Sequence, residues 1–223
     1  MISLNHIDFA YENGPYLLED LTMTIHDGDY VAVVGENGSG KSTLIKVMLG
    51  LLKPKHGSIK CTFRRTAYVP QPTDLINRQF PITVDELLDF QRRVLKVKDK
   101  DAVTAALEKV NMVPFRRHLV GALSGGQFQR VLVAKALIGE PDFIILDEPS
   151  TGMDLKSQDQ LYPLIHDLHE KQGVTIVTVE HNLRYAAHNA STFFHMVNGR
   201  GHFCTPEEYI EEYLQENGGR HHV

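Results

Sequence analysis

Three kinds of apolar run divide the chain. Tyr30-Val-Ala-Val-Val34, Phe143-Ile-Ile-Leu146 and Val174-Thr-Ile-Val-Thr-Val179 are short, rich in β-branched residues and nearly unbroken. Runs of this kind read as strands covered on both faces. Leu21-Thr-Met-Thr-Ile25 alternates apolar with polar, as a half-buried strand does. Ile2 to Tyr11, Ser58 to Phe63 and Thr66 to Val69 also read as strands, with turns at Asn13-Gly14-Pro15, Asp27-Gly28 and Pro54 to Gly57. Pro70-Gln71-Pro72 stops any regular element, because each proline lacks a donor and restricts the residue before it.

Elsewhere the spacing is helical. Leu44 to Leu49 starts a helix that Gly50 ends. Val84 to Val97, Asp101 to Val110, Ser124 to Ile138 and Leu155 to Gln172 follow. Thr83 with Glu86, and Ser124 with Gln127, have the spacing of capping boxes, and Asp154 reads as an N-cap. Pro163 predicts a kink or a break in the helix that contains it. Thr192 to Val197 and Gly201 to Cys204 form a small hairpin, and Thr205-Pro-Glu-Glu208 opens a last helix before a polar tail, 217–223. Strand-rich segments flank the helical middle of the chain, so it reads as a lobe inserted into an α/β core.

Composition narrows the classes. With 223 residues the chain buries a full core as one large domain or two lobes. No apolar run reaches the ~20 residues of a transmembrane helix, and Met1-Ile-Ser-Leu-Asn-His lacks the regions of a signal peptide, so a cytosolic protein is expected. The 23 basic and 28 acidic residues give a net charge of −5, which offers no support for a general nucleic-acid binder. Cys61 and Cys204 have no metal or redox spacing and read as free thiols. The 12 histidines are scattered. His202 with Cys204, or His221-His222, could be weighed as zinc ligands, but solvated surface is the simpler account.

Gly35-Glu-Asn-Gly-Ser-Gly-Lys-Ser-Thr43 changes the picture. It matches G-x-x-x-x-G-K-[ST] and lies between a buried strand and a helix start. In that setting glycines turn backbone N–H groups toward a phosphate, and the helix N-terminus adds positive charge. Lys41 reaches the outer phosphates and Ser42 can ligate Mg²⁺. A bare strand–turn–helix corner is the alternative. Asp147-Glu148 closes the apolar strand at 143–146, where one acid can face Mg²⁺ and the next can polarise a water; two solvated acids are the alternative. In Leu123-Ser-Gly-Gly-Gln127 the serine and glutamine account for a cap, while the glycine pair exposes N–H groups as a second anion site. Two phosphate sites in one chain suggest that one serves a neighbour's nucleotide.

Taken together, these residues resemble the nucleotide-binding subunit of an ATP-binding-cassette (ABC) transporter over almost the whole chain. The resemblance rests on the Walker A loop Gly35–Thr43, the Q-loop Gln71, the signature Leu123–Gln127, the Walker B Asp147, the catalytic Glu148, the D-loop Ser150–Asp154 and the switch His181. It implies an α/β fold: a P-loop NTPase (RecA-like) core with an antiparallel β subdomain and an inserted helical subdomain. One nucleotide-binding domain would span 1–223, with a core lobe near 1–71 and 140–204, a helical lobe near 72–139, and a C-terminal helix and tail at 205–223. It implies ATP and Mg²⁺ as ligands. Gly35, Asn37, Gly38, Ser39, Gly40, Lys41, Ser42 and Thr43 would hold the phosphates, and Tyr11 would stack on adenine or merely pack. Ser42, Gln71 and Asp147 would hold Mg²⁺, and Glu148, Gln71 and His181 would act in hydrolysis. Ser124, Gly125, Gly126, Gln127 and Asp154 would meet the nucleotide of a second copy in a head-to-tail dimer. Plain alternatives are a strand-capping histidine for His181 and a polar turn residue for Gln71. One departure is Glu180, a carboxylate where the family usually has a small hydroxyl residue before the switch histidine.

Phe80-Pro81 with Thr83-Val84, and Pro149-Ser-Thr-Gly-Met-Asp154, resemble ATPases of bacterial zinc and manganese importers. That implies integral membrane permease subunits docking between Pro72 and Glu86, an extracytoplasmic metal-binding protein and a place on the inner face of the membrane, while the mildly acidic charge argues against a nucleic-acid partner. Another small solute, an exporter, and a soluble ABC ATPase outside transport are the competing readings.

Overall fold

The computed structural model describes residues 1–12, 14–71 and 81–211. It separates into two compact units, 1–63 with 176–223, and 64–175. In chain order the strands are β1 (Ile2–Phe9), β2 (Leu18–Ile25), β3 (Tyr30–Val34), β4 (His56–Cys61), β5 (Thr66–Val69), β6 (Phe143–Asp147), β7 (Thr175–Val179), β8 (Thr192–Val197) and β9 (Arg200–Cys204). The helices are α1 (Lys41–Met48), α2 (Val84–Val94), α3 (Ala102–Lys109), α4 (Gly125–Leu137), α5 (Leu155–Glu170) and α6 (Leu183–Asn189).

In the first unit β3 is buried at all five positions, as its unbroken apolar run requires. It pairs in parallel with β7 (Val31 opposite Val177) and with β8 (Val33 opposite Phe194). β8 returns as β9 through Asn198-Gly199, both at positive φ (48° and 80°), a two-residue hairpin turn. A separate antiparallel sheet has the order β2-β1-β4. β1 ends at Phe9 rather than Tyr11, because the chain turns away through Glu12 at φ 45°. Pairing of Asp8 with His56 extends β4 back into the expected turn, so it runs 56–61 instead of 58–63. α1 closes as its sequence suggests: Gly50 at φ 69° lets Gly50 N–H bond Val47 O and Leu51 N–H bond Lys46 O.

In the second unit β5 and β6 pair in parallel, Val69 opposite Leu146. α4 is its buried helix, with nine of its thirteen residues inside, and packs on α2, α3, α5 and β5. Both capping boxes form, Thr83 with Glu86 and Ser124 with Gln127. α2 stops at Val94 rather than Val97, because Lys96 takes a left-handed φ of 56° and the N–H groups of Lys96 and Val97 bond back to Arg93 O and Arg92 O. Pro163 does not break α5. It lies on the exposed side, where water can serve the backbone groups it leaves without a helical partner. α6 was not expected from the sequence, and the segment expected to dock a membrane subunit lies largely outside the described residues.

Candidate functional site

In the first unit, β3 delivers the chain into Gly35–Gly40 and α1 begins at Lys41. Gly35 and Gly40 sit at φ 140° and 104°, and a side chain would be impossible at the first: its Cβ would lie 2.3 Å from Met196 O. At Gly40 a Cβ would lie 2.9 Å from Leu17 O. Lys41 is 6% exposed, and its ammonium donates to Gly35 O (2.7 Å) and Glu36 O (2.8 Å), closing the loop on itself. Buried Ser39 Oγ has no hydrogen-bond partner among the described residues. Asn37, Gly38 and Ser42 are exposed and Thr43 is half-buried. The first turn of α1 holds no acid. A loop with its backbone tightened by glycines, a buried cation and an unopposed helix N-terminus fits a phosphate chain.

Tyr11, 48% exposed, stands edge-on to Phe9 with ring centroids 5.0 Å apart. His181 is exposed just past β7. Glu180, by contrast, is 2% exposed. Its carboxylate accepts the Thr178 hydroxyl at 3.0 Å. Burial, and then the Glu180 charge, push the Tyr30 phenol well above its ordinary range.

In the second unit, β6 ends on half-buried Asp147, and Tyr68 of β5 donates its hydroxyl to Asp147 Oδ2 at 3.0 Å. Glu148 follows at φ 46°, a conformation that costs energy in a residue with a side chain. Its Oε2 accepts from Gln71 Nε2 (2.8 Å) and Thr151 Oγ1 (2.9 Å). The structure thus brings Gln71, Asp147 and Glu148 together and adds Tyr68 and Thr151. Sequence reasoning gave neither a role of its own: Tyr68 read only as part of a strand and Thr151 only as part of the D-loop.

Ser124 Oγ accepts Gln127 N–H and Gln127 Oε1 accepts Ser124 N–H, so both side chains serve the cap of α4. Gly126 has a packing reason as well. A Cβ there would lie 2.5 Å from Ser157 Oγ and 2.6 Å from Ser157 Cβ, while at Gly125 the nearest contact would be Gly152 O at 3.7 Å. Asp154 caps α5: it accepts Ser157 N–H at 2.8 Å and the Ser157 hydroxyl at 3.0 Å. Those bonds, the backbone one first, hold its carboxyl below the usual range. Ser150 accepts the Tyr162 hydroxyl at 2.9 Å, which ties the D-loop to the same helix.

Residues 18–151 match the family model for ABC transporters. The chain belongs to the ABC transporter family. A "Probable metal transport system ATP-binding protein" of Treponema pallidum is 43% identical over 96% of this chain and 90% of its own length. The high-affinity zinc uptake ATP-binding protein ZnuC of Bacillus subtilis is 38% identical over 81% of this chain and 84% of its own. Among solved structures, an ABC transporter described as of metal-chelate type, in an inward-facing conformation, aligns with TM-score 0.86 at 28% identity, over 96% of this chain and 87% of that one. The dimeric bacterial ABC transporter cassette MJ0796 aligns with TM-score 0.79 at 26% identity, over 92% of this chain and 99% of that one. The fold is that of the family's ATPases, a P-loop NTPase with parallel and antiparallel sheets and helices. No helix among the described residues is long and apolar enough to cross a membrane.

Proposed function

We propose that this ABC ATPase powers uptake of a divalent metal ion, zinc first and manganese next, through separate membrane subunits. The observation that carries the cargo is that relatives aligned over four-fifths or more of the chain are named as zinc uptake or metal transport ATP-binding proteins. The chain would lie on the inner face of the membrane, held there by its permease partners, with an extracytoplasmic binding protein supplying the metal. The dimeric cassette supports a pair of copies, which would meet head to tail.

The site residues fit the chemistry. Lys41 and the N–H groups of Gly35–Thr43 would bind the ATP phosphates, and Tyr11 would stack on the base. Mg²⁺, held by Ser42, Gln71 and Asp147, would neutralise charge on the phosphates. Glu148 would accept a proton from the attacking water, its carboxylate aimed by Gln71 and Thr151. His181 would contact the outer phosphate. Ser124, Gly125, Gly126, Gln127 and Asp154 would face the nucleotide of the second copy.

Total-element analysis of cells in metal-poor medium tests this reading, comparing wild type, a gene deletion and a chromosomal Lys41→Ala variant. A selective fall in zinc or manganese in both mutants is expected. Unchanged metals would discard the cargo and leave the ATPase.

A further inference from the structure

We propose that a cation-lined cleft in the 64–175 unit is a second ligand site, which takes a phosphorylated small molecule about the size of a nucleoside monophosphate. The cleft lies among the start of β5, the end of α2, α3 and the end of α4, and encloses about 790 Å³, within the range of small-molecule sites. None of the residues assigned above to ATP or Mg²⁺ lines it, and the two places meet only at Tyr68, whose hydroxyl bonds Asp147.

Its charge is the first argument. Arg64, Arg65, Lys98, Lys109 and Lys135 face only two acids, Asp99 and Glu140. A protein of net charge −5 therefore concentrates an excess of positive charge in one concavity, and low-dielectric walls strengthen its pull on an anion. Arg65 is paired with Glu140 at 3.3 Å, and Lys109 bonds the neutral amide of Gln172 at 2.9 Å. The side chains of Arg64, Lys98 and Lys135 have neither an ion pair nor a hydrogen bond among the described residues.

Helix ends account for part of this arrangement. Lys109 and Lys135 sit in the last turns of α3 and α4, where a cation offsets the exposed carbonyls. Arg64 and Lys98 lie outside any helix, so that account does not extend to them.

The second argument is the lining. The buried Ala106 and Ala136 leave room that larger side chains would fill. An inorganic anion would leave most of this volume to water. An anionic group joined to an apolar or aromatic body matches both the cations and the alanines. A phosphate, with close to two charges and three acceptor oxygens on one group, can take several of these Lys and Arg donors at once.

Protein labelled at alanine methyls and followed by NMR tests the site directly, whatever becomes of the metal-uptake reading. Titration with AMP is expected to shift the methyls of Ala102, Ala106 and Ala136 saturably, with adenosine binding about tenfold or more weakly. An Arg64→Gln/Lys135→Gln double variant is expected to lose about tenfold in AMP affinity, with a cooperative melt near the wild-type Tm reporting an intact fold. The proposal is overturned if AMP gives no saturable shift at those methyls, if adenosine binds as well as AMP, or if the double variant binds AMP unchanged. A hexaglutamate peptide that binds the cleft more tightly than AMP would also overturn it, assigning the cleft to an acidic protein segment.

Discussion

Gln71 Nε2 donates a hydrogen bond to Glu148 Oε2 at 2.8 Å, across 77 residues of sequence. The same oxygen accepts Thr151 Oγ1, and the backbone beneath it is held at φ 46°. Glu148 is therefore oriented three ways: by its strand end, by the Q-loop and by the D-loop. A carboxylate held so firmly suits a base that must meet a water in one position. Glu148→Gln is expected to keep ATP binding, lower hydrolysis about 10²–10⁴-fold, and accumulate a dimer on MgATP that gel filtration detects. Gln71→Ala removes one of the three restraints and is expected to lower turnover roughly 10-fold even at saturating Mg²⁺ and ATP. A Glu148→Gln protein that stays monomeric with ATP would count against the two-copy arrangement.

Tyr68 and Asp147 link β5 to β6 at 3.0 Å. The phenol holds the carboxylate assigned to Mg²⁺. A hydrogen bond to an ionised group is worth about 1.5–3 kcal/mol when buried, and this pair is half-buried, so less is expected here. Tyr68→Phe should raise the Mg²⁺ concentration for half-maximal ATPase activity by about threefold to tenfold, while the maximal rate at saturating Mg²⁺ stays close to wild type. A lower maximal rate with the same Mg²⁺ dependence would show that Tyr68 acts through Glu148 instead.

Gly126 and Ser157 lie so close that α4 and α5 leave no room for a methyl group between them. Gly126→Ala must push Ser157 away, and Ser157 is fixed by its two bonds to Asp154. Overpacking of this kind costs about 1–3 kcal/mol, a fall of about 2–4 °C in Tm for each kcal/mol in a chain of this size. Calorimetry of Gly126→Ala and of Gly126→Ala/Ser157→Gly separates the causes. The double variant is expected to recover part of the loss. A single variant as stable as wild type would show that this glycine serves only its backbone N–H.

What was legible in the sequence was local. Thr83–Glu86, Ser124–Gln127 and Thr205–Glu208 each join residues three apart, and all three pairs form the hydrogen bonds their spacing predicts. The glycine loop and its flanking strand and helix are likewise one continuous stretch. α6 was hidden because Asn182 makes no side-chain cap and Ala186 is its one buried residue, so no apolar period marks it. Tyr68–Asp147 and Gly126–Ser157 are contacts between distant segments, which periodicity does not encode. Glu180 appeared as an extra carboxylate near the switch histidine. The structure adds that it is buried and bonded to the Thr178 hydroxyl, because its position continues β7.

Asp154 offers a test by pH. Its folded carboxyl is held below the ordinary range, first by the Ser157 N–H and then by the Ser157 hydroxyl. The unfolded chain therefore binds this proton more readily, and the cap's contribution is present above the ordinary carboxylate pKa of about 4 and is lost as pH falls through the lower folded value. Asp154→Ala is expected to melt at a lower temperature than wild type at neutral pH, and the gap should narrow between about pH 5 and pH 3. Asp154→Asn, which still accepts from an N–H, should show a smaller gap at neutral pH and a flatter pH dependence. The carboxylates of Glu86 and Asp89 are also held low, by Thr83 and by Arg92, and lose their grip in the same range. The difference between variant and wild type therefore isolates Asp154. A gap that stays constant down to pH 3 would mean that the shape of this side chain, not its charge, holds the start of α5.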